Sequence, residues 1–192
     1  MKTFSHQSIP NALSALRLLL VPVIWALALS NLPFYVGAAL IAAGLTDVLD
    51  GFVARKWGLV TAHGSRLDSV ADTLIEISIA ASVLLLKPEI FTGHKLLVSA
   101  WIAVEAVSFV VGWIKFRRIA NLHLYLTKAS GAAGYVFVIY TFMIGYNEAF
   151  FYAALTLLLI SSLECLLLQL LCARVDEHMK SIFHAYRGGR LF

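Results

Sequence analysis

The sequence predicts an all-α fold: a polytopic membrane protein of six transmembrane helices with both termini cytoplasmic. Three observations carry that prediction. Of the 192 residues, 60% are hydrophobic and 14% charged, against about 45–50% and about 25% in a soluble domain. Six stretches approach the roughly 20 apolar residues needed to cross a hydrocarbon core of about 30 Å. Nearly all the Lys and Arg fall on one side of the threading that those stretches define. The mean hydropathy of +0.84 excludes a water-soluble globular domain, and with it disorder, collagen and a disulfide scaffold.

The spans run roughly over 12–30, 34–54, 69–86, 96–114, 129–146 and 150–172. In the first, Ala26, Leu27 and Ala28 resemble a signal-peptide cleavage site, but Arg17 within the apolar run and the dense spans behind it favour a retained helix. The second ends in Asp47 and Asp50, and the third begins with Asp68 and Asp72, with a loop of roughly a dozen residues between the spans. Glu105, in the fourth, is an intramembrane carboxylate expected to face the bundle interior. Gly131, Ala132, Ala133 and Gly134 in the fifth, and Ser161 and Ser162 in the sixth, suit helix packing or the seam of a homodimer. Cys165 and Cys172 share one helix face but lie too far apart along it to pair. The connections are short, so residues 1–192 read as a single membrane domain.

Charge placement sets the orientation. Lys2, Arg17, Arg55, Lys56, Arg66, Lys115, Arg117, Arg118, Lys128, Arg174, Lys180, Arg187 and Arg190 lie on one side, leaving Lys87 and Lys95 on the other. The basic side is cytoplasmic. The tail 174–192 mixes these cations with Ile182, Phe183, Tyr186 and Phe192, a pattern for lying on anionic headgroups. Membrane lipids, and no nucleic acid, are the partners this charge implies.

Four of the eleven acidic residues gather in one short stretch: Asp47, Asp50, Asp68 and Asp72. Each costs about 2.5–3.5 kcal/mol near the centre of a membrane helix, and less toward its end. Spacings of three and four put each pair on one helix face. Folded against each other, the two faces would gather hard oxygen ligands that repel unless a cation joins them. Arg55 and Arg66 are the cations nearby in sequence. Pairing with Arg and Lys at the helix ends would account for one such pair. For all four, bound Mg²⁺ or Mn²⁺ is the economical answer, and neither Cys nor His clusters here to suit zinc. Gly51 and Ala54 continue the acidic face with small side chains that leave room for a base or a phosphate. Arg55 can grip a phosphate through two hydrogen bonds, and Gly64 permits a turn.

The stretch Asp47 to Asp72, DVLDGFVARKWGLVTAHGSRLDSVAD, resembles the signature of the CDP-alcohol phosphotransferases, D-x2-D-G-x2-A-R-x8-G-x3-D-x3-D. Asp47, Asp50, Gly51, Ala54, Arg55, Gly64, Asp68 and Asp72 occupy all its fixed positions. The opening from Pro10 and Asn11 through Ser14 to Arg17 also resembles the start of that family's first membrane helix. The resemblance implies that a phosphatidyl group passes from CDP-diacylglycerol to an alcohol, with release of CMP, in phospholipid biosynthesis. It implies that Asp47, Asp50, Asp68 and Asp72 ligate two ions of Mg²⁺ or Mn²⁺. Asp72 would also take the acceptor's hydroxyl proton. Asn11, Gly51, Ala54, Arg55 and Thr61 would contact the CDP-lipid. The expected site is the cytoplasmic face of a bacterial inner (plasma) membrane, and a homodimer is common in the family.

Acceptor choice is less legible. Arg117, Arg118 and Lys128 could bind an acceptor phosphate, with Lys115 beside them, although cytoplasmic loops are basic in any case. That pocket favours glycerol 3-phosphate over serine, inositol phosphate or a lipid acceptor. Ser69 and Thr73 stand where the family's glycerol-phosphate branch carries Pro and Lys. Rival classes are a cation or proton transporter, which would disperse its acids along a path, and a non-catalytic membrane scaffold, which would need no intact pattern.

Overall fold

The computed structural model describes the backbone of residues 8–57, 62–116 and 125–171, and their side chains except those of 8–11, 54–55, 57, 62–66 and 116. Every regular element there is a helix: α1 (Ser8–Leu29), α2 (Pro33–Trp57), α3 (Ala62–Leu86), α4 (Pro88–Gly93), α5 (Lys95–Phe116), α6 (Tyr125–Met143) and α7 (Glu148–Leu171). In hydrocarbon a chain must satisfy its own backbone hydrogen bonds, and a helix does so within one segment. Five of these helices (α1, α2, α3, α5 and α7) are long and apolar enough to cross a membrane. The fifth expected span is helical as α6, but with Thr127, Lys128, Ser130 and three tyrosines in its 19 residues it is not among those five. Outward faces carry Leu19, Val48, Leu96 and Ile114, all more than 60% exposed. Such faces suit lipid and not water, and the chain is an integral membrane protein.

Two helices run beyond the apolar stretches that announce them. α2 continues to Trp57 and α3 begins at Ala62, which leaves residues 58–61 between them where a loop of about a dozen was expected. Gly64, expected at a turn, is helical. The short α4 between the third and fourth spans was not foreseen either. The fixed positions of the motif are therefore all carried on helix, which holds the spacing within each of its two halves.

Helix ends follow from local chemistry. Asn31 sits at φ 56° after α1. The amides of Leu32 and Asn31 then close onto the carbonyls of Leu27 and Ala28, at 3.1 and 3.0 Å. This is the Schellman pattern, with Asn in the left-handed position usually held by Gly. Pro33, which has no amide hydrogen to leave unpaired, opens α2. Asn147 caps α7, its side-chain oxygen accepting from the Phe150 amide at 2.9 Å.

The chain divides into two compact units, Met1–Glu89 with Val138–Gly145, and Ile90–Phe137 with Tyr146–Phe192. In the first, α1 packs on both α2 and α3, which have little direct contact with each other. Ile24, Ala28, Val36, Leu40, Ala71 and Ile75 form its core. Trp25 Nε1 donates to Ser78 Oγ at 3.0 Å, which gives the indole a partner. Gly37 lies so close to Met143 that an added Cβ would stand 2.6 Å from its Cγ and 3.4 Å from Phe142 Cβ. Gly37→Ala is therefore expected to destabilise the protein by about 1–3 kcal/mol through overpacking, read as a lower melting temperature in detergent.

In the second unit α5 packs on α7. Ser108 Oγ donates to Gln169 Oε1 at 3.1 Å, where Gly112 leaves room for the amide. Ser162 Oγ donates to Glu105 Oε1 at 2.6 Å, and Ser161 Oγ meets Thr127 Oγ1 at 3.1 Å. Both serines are buried, so they serve packing within the chain and not a seam between copies. Glu105, expected to face inward, sits at an exposed position of α5 and is held there by Ser162.

Candidate active site

α2 carries Asp47 and Asp50 near its C-terminal end, and α3 carries Asp68 and Asp72 in its early turns. The sequence reading has these faces meet directly. Instead α1 lies against both and contributes Arg17, whose guanidinium reaches all four acids. Nη1 donates to Asp47 Oδ1 at 2.9 Å and to Asp72 Oδ1. Nη2 donates to Asp68 Oδ1 at 2.5 Å and to Asp50 Oδ2. Each nitrogen thus ties one acid of α2 to one of α3. Ser14, a turn earlier on α1, donates to Asp50 Oδ2 at 3.4 Å.

Burial is graded across this cluster. Arg17 is 1% exposed and Asp50 6%, while Asp47, Asp68 and Asp72 open outward. The Arg17–Asp50 pair forms a closed floor beneath three accessible carboxylates. A buried guanidinium is tolerable only when its charge is met, and charge-assisted bonds to four carboxylates do so. Among the described residues, four formal negative charges meet one positive in this cluster.

Asp47, Asp50 and Asp68 each offer a carboxylate oxygen, all within 4.8 Å of one another. Among the described residues the donor set is hard oxygen without His or Cys, and this fits Mg²⁺ or Mn²⁺. The fourth acid, Asp72, joins the cluster through Arg17.

Arg17 is the residue that sequence reasoning missed. Its place in the apolar run bears on orientation and on a retained helix, and does not by itself mark a site residue. The available signal was its cost: an arginine within an apolar span is as expensive as an aspartate there, so each calls for a partner.

The other expected site residues divide by position. Gly51 follows Asp50 on α2 and is half-buried. Ala54 and Arg55 lie on α2 and Asn11 on α1, but their side chains are outside the described residues, as are Thr61, Arg117 and Arg118 altogether. Lys128 stands exposed in the first turns of α6, in the second unit. Lys115 donates to the Gln169 and Leu170 carbonyls at 2.8 and 2.9 Å. It caps the C-terminal end of α7, a structural use of a cation that had been grouped with a phosphate pocket.

Comparison with known proteins agrees with the motif. A family model described as CDP-alcohol phosphatidyltransferase matches residues 7–173. A CDP-diacylglycerol–glycerol-3-phosphate 3-phosphatidyltransferase of Wigglesworthia glossinidia brevipalpis is 42% identical over 73 residues, which cover 36% of this chain and 40% of that protein. A protein of the same name in Haemophilus influenzae is 33% identical over 106 residues, covering 54% of this chain and 52% of that one. A CMP-forming cardiolipin synthase of Rattus norvegicus is 47% identical over 70 residues, covering 35% and 23%. The chain thus spans about half or less of each of these relatives. No solved structure matches it. With the eight-position pattern borne on α2 and α3 and the family match running from residue 7 to residue 173, the chain belongs to the CDP-alcohol phosphatidyltransferase family.

Proposed function

We propose that this protein transfers a phosphatidyl group from CDP-diacylglycerol to the hydroxyl of glycerol 3-phosphate, releasing CMP, in phospholipid biosynthesis. The observation that carries this reading is the convergence of Asp47, Asp50, Asp68 and Asp72 on one point from two helices. The names of the Wigglesworthia and Haemophilus relatives support the choice of acceptor. Divalent-metal dependence is general in the family.

The reaction makes a P–O bond to the acceptor and breaks the P–O bond to CMP. Asp72 takes the acceptor's proton as its oxygen closes on the phosphatidyl phosphorus. Asp47, Asp50, Asp68 and Asp72 would hold two ions of Mg²⁺ or Mn²⁺, which would offset charge on the pyrophosphate and the departing CMP. Arg55 grips a phosphate of the CDP-lipid, and Gly51, Ala54, Thr61 and Asn11 leave room for and contact its head. Positioning and electrostatics suffice, because phosphoryl transfer asks little else of a protein. Arg117, Arg118 and Lys128 bind the acceptor's phosphate.

The chain works as one membrane domain of six spans, with α6 the fifth, in a bacterial inner membrane. Both termini and the site are cytoplasmic, the tail 174–192 rests on headgroups, and two copies associate. Lipid tails stay in the bilayer while soluble reactants reach the head. The gathering of the acids at the ends of two helices, and not along a path, weighs against a transporter.

The test is CMP release by purified protein from CDP-diacylglycerol with Mg²⁺ or Mn²⁺, adding glycerol 3-phosphate, serine, inositol phosphate or phosphatidylglycerol singly. Release that depends on glycerol 3-phosphate is the expected result. Release only with phosphatidylglycerol would select a second reading, favoured by the cardiolipin synthase relative. Silence from folded protein that also fails to bind CDP-diacylglycerol would overturn the enzyme reading. Lys128→Gln is expected to raise the KM for glycerol 3-phosphate about tenfold, the worth of one charge-assisted hydrogen bond, with kcat little changed in the same assay.

A further inference from the structure

Arg17 does for the four acids what a divalent ion would do. Its two Nη atoms each bridge α2 to α3, helices that otherwise have little contact. Without a cation there, four carboxylates on facing helices would push the two apart. Three of Arg17's four partners, Asp47, Asp50 and Asp68, are the acids whose oxygens lie within 4.8 Å of one another. An ion placed among them must share those carboxylates with the guanidinium. Mg²⁺ draws its oxygens to about 2.0–2.1 Å, and two cations crowded on the same acids repel strongly in a site closed from below. The guanidinium's Nε is buried without a hydrogen-bond partner among the described residues, so the hydrogen bonds it would give up on leaving the acids are those of the two Nη atoms.

We infer that Arg17 is the resident counter-ion of the carboxylate cluster: it holds the four acids together in the metal-free protein and withdraws from them when a divalent ion enters. Arg17 is thus a positioning residue that keeps the site assembled and sets its metal affinity. The inference rests on the metal-site reading proposed above.

The test measures Mn²⁺ binding by electron paramagnetic resonance of the free ion, using the full chain in detergent. Wild type, Arg17→Gln and Asp68→Asn are compared. Arg17→Gln is expected to bind Mn²⁺ at least tenfold more tightly, and Asp68→Asn at least tenfold more weakly. Equal or weaker binding by Arg17→Gln, with Asp68→Asn still deficient, would overturn the displacement and leave the metal site standing. No binding by folded wild type would overturn both. Should Arg17→Gln not fold, wild type labelled with ¹⁵N at arginine Nη serves instead, Arg17→Lys identifying the signal. A shift of that signal on adding Mg²⁺ is expected, and an unmoved signal at saturating Mg²⁺ overturns the inference.

Discussion

CMP release is expected to fall by about 10²–10⁴-fold in Asp72→Asn, the range for loss of a general base, measured with CDP-diacylglycerol and saturating acceptor. A carboxylate with an ordinary pKa near 4 is a weak base toward an alcohol. In the proposed mechanism Asp72 can serve because bound divalent ions would lower the cost of building negative charge on the attacking oxygen. Asparagine keeps the shape of the side chain and an oxygen able to accept from Arg17 Nη1, but it has no site for the proton. The variant is therefore expected to insert, fold and melt much as wild type does. Asp72 is also the acid outside the group of three that can share an ion. Excess Mn²⁺ is accordingly expected to leave Asp72→Asn inactive while partly restoring Asp68→Asn. A near wild-type rate for Asp72→Asn would remove Asp72 from the reaction, and a transporter or a scaffold would then be the better reading. Chelation is the companion measurement, with release expected to fall to background in wild type.

Arg17→Met is expected to destabilise the metal-free protein by about 3–5 kcal/mol, the usual cost of breaking a buried ion pair from one side. For a chain of this size that corresponds to a melting temperature lower by roughly 10 °C, read in detergent with chelator present. Most of the loss comes from Asp50, which would remain buried without its cation. Asp47, Asp68 and Asp72 have side chains 53%, 41% and 47% exposed, so solvent screens them and each contributes little. Methionine preserves apolar volume, and the measured loss therefore reports charge and not a cavity. A melting temperature within a degree or two of wild type would mean that the Arg17–Asp50 floor contributes nothing net to stability.

The helical character and the positions of the long helices were readable because hydrocarbon imposes one rule on all of them. A chain that crosses it must be apolar over about 20 residues and must satisfy its own backbone. The same economy made the four aspartates conspicuous, since uncompensated acids are expensive beside a membrane. The ends of α2 and α3 were misjudged because both continue as helix past the apolar stretch, through residues as polar as Arg55 and Arg66, where hydropathy carries no signal. Ser161 and Ser162 were ambiguous for a related reason: small polar residues suit any close helix contact, and only the positions of Thr127 and Glu105 show which contact they make.

By itself, then, the sequence determined the helical class of the protein, the pairing of acids on two helix faces and the pattern that marks the family. All of these are local, set by spacings of a few residues and by the cost of charge in hydrocarbon. Tertiary structure decided the rest. Arg17 lies 30 to 55 positions from the acids it joins, and no periodicity relates residues so far apart. Which cation reaches Asp50, and which carboxylates stay open above it, depends on α1 packing against α2 and α3 together. That arrangement is fixed by side-chain packing and by the need of a buried guanidinium to meet its charge.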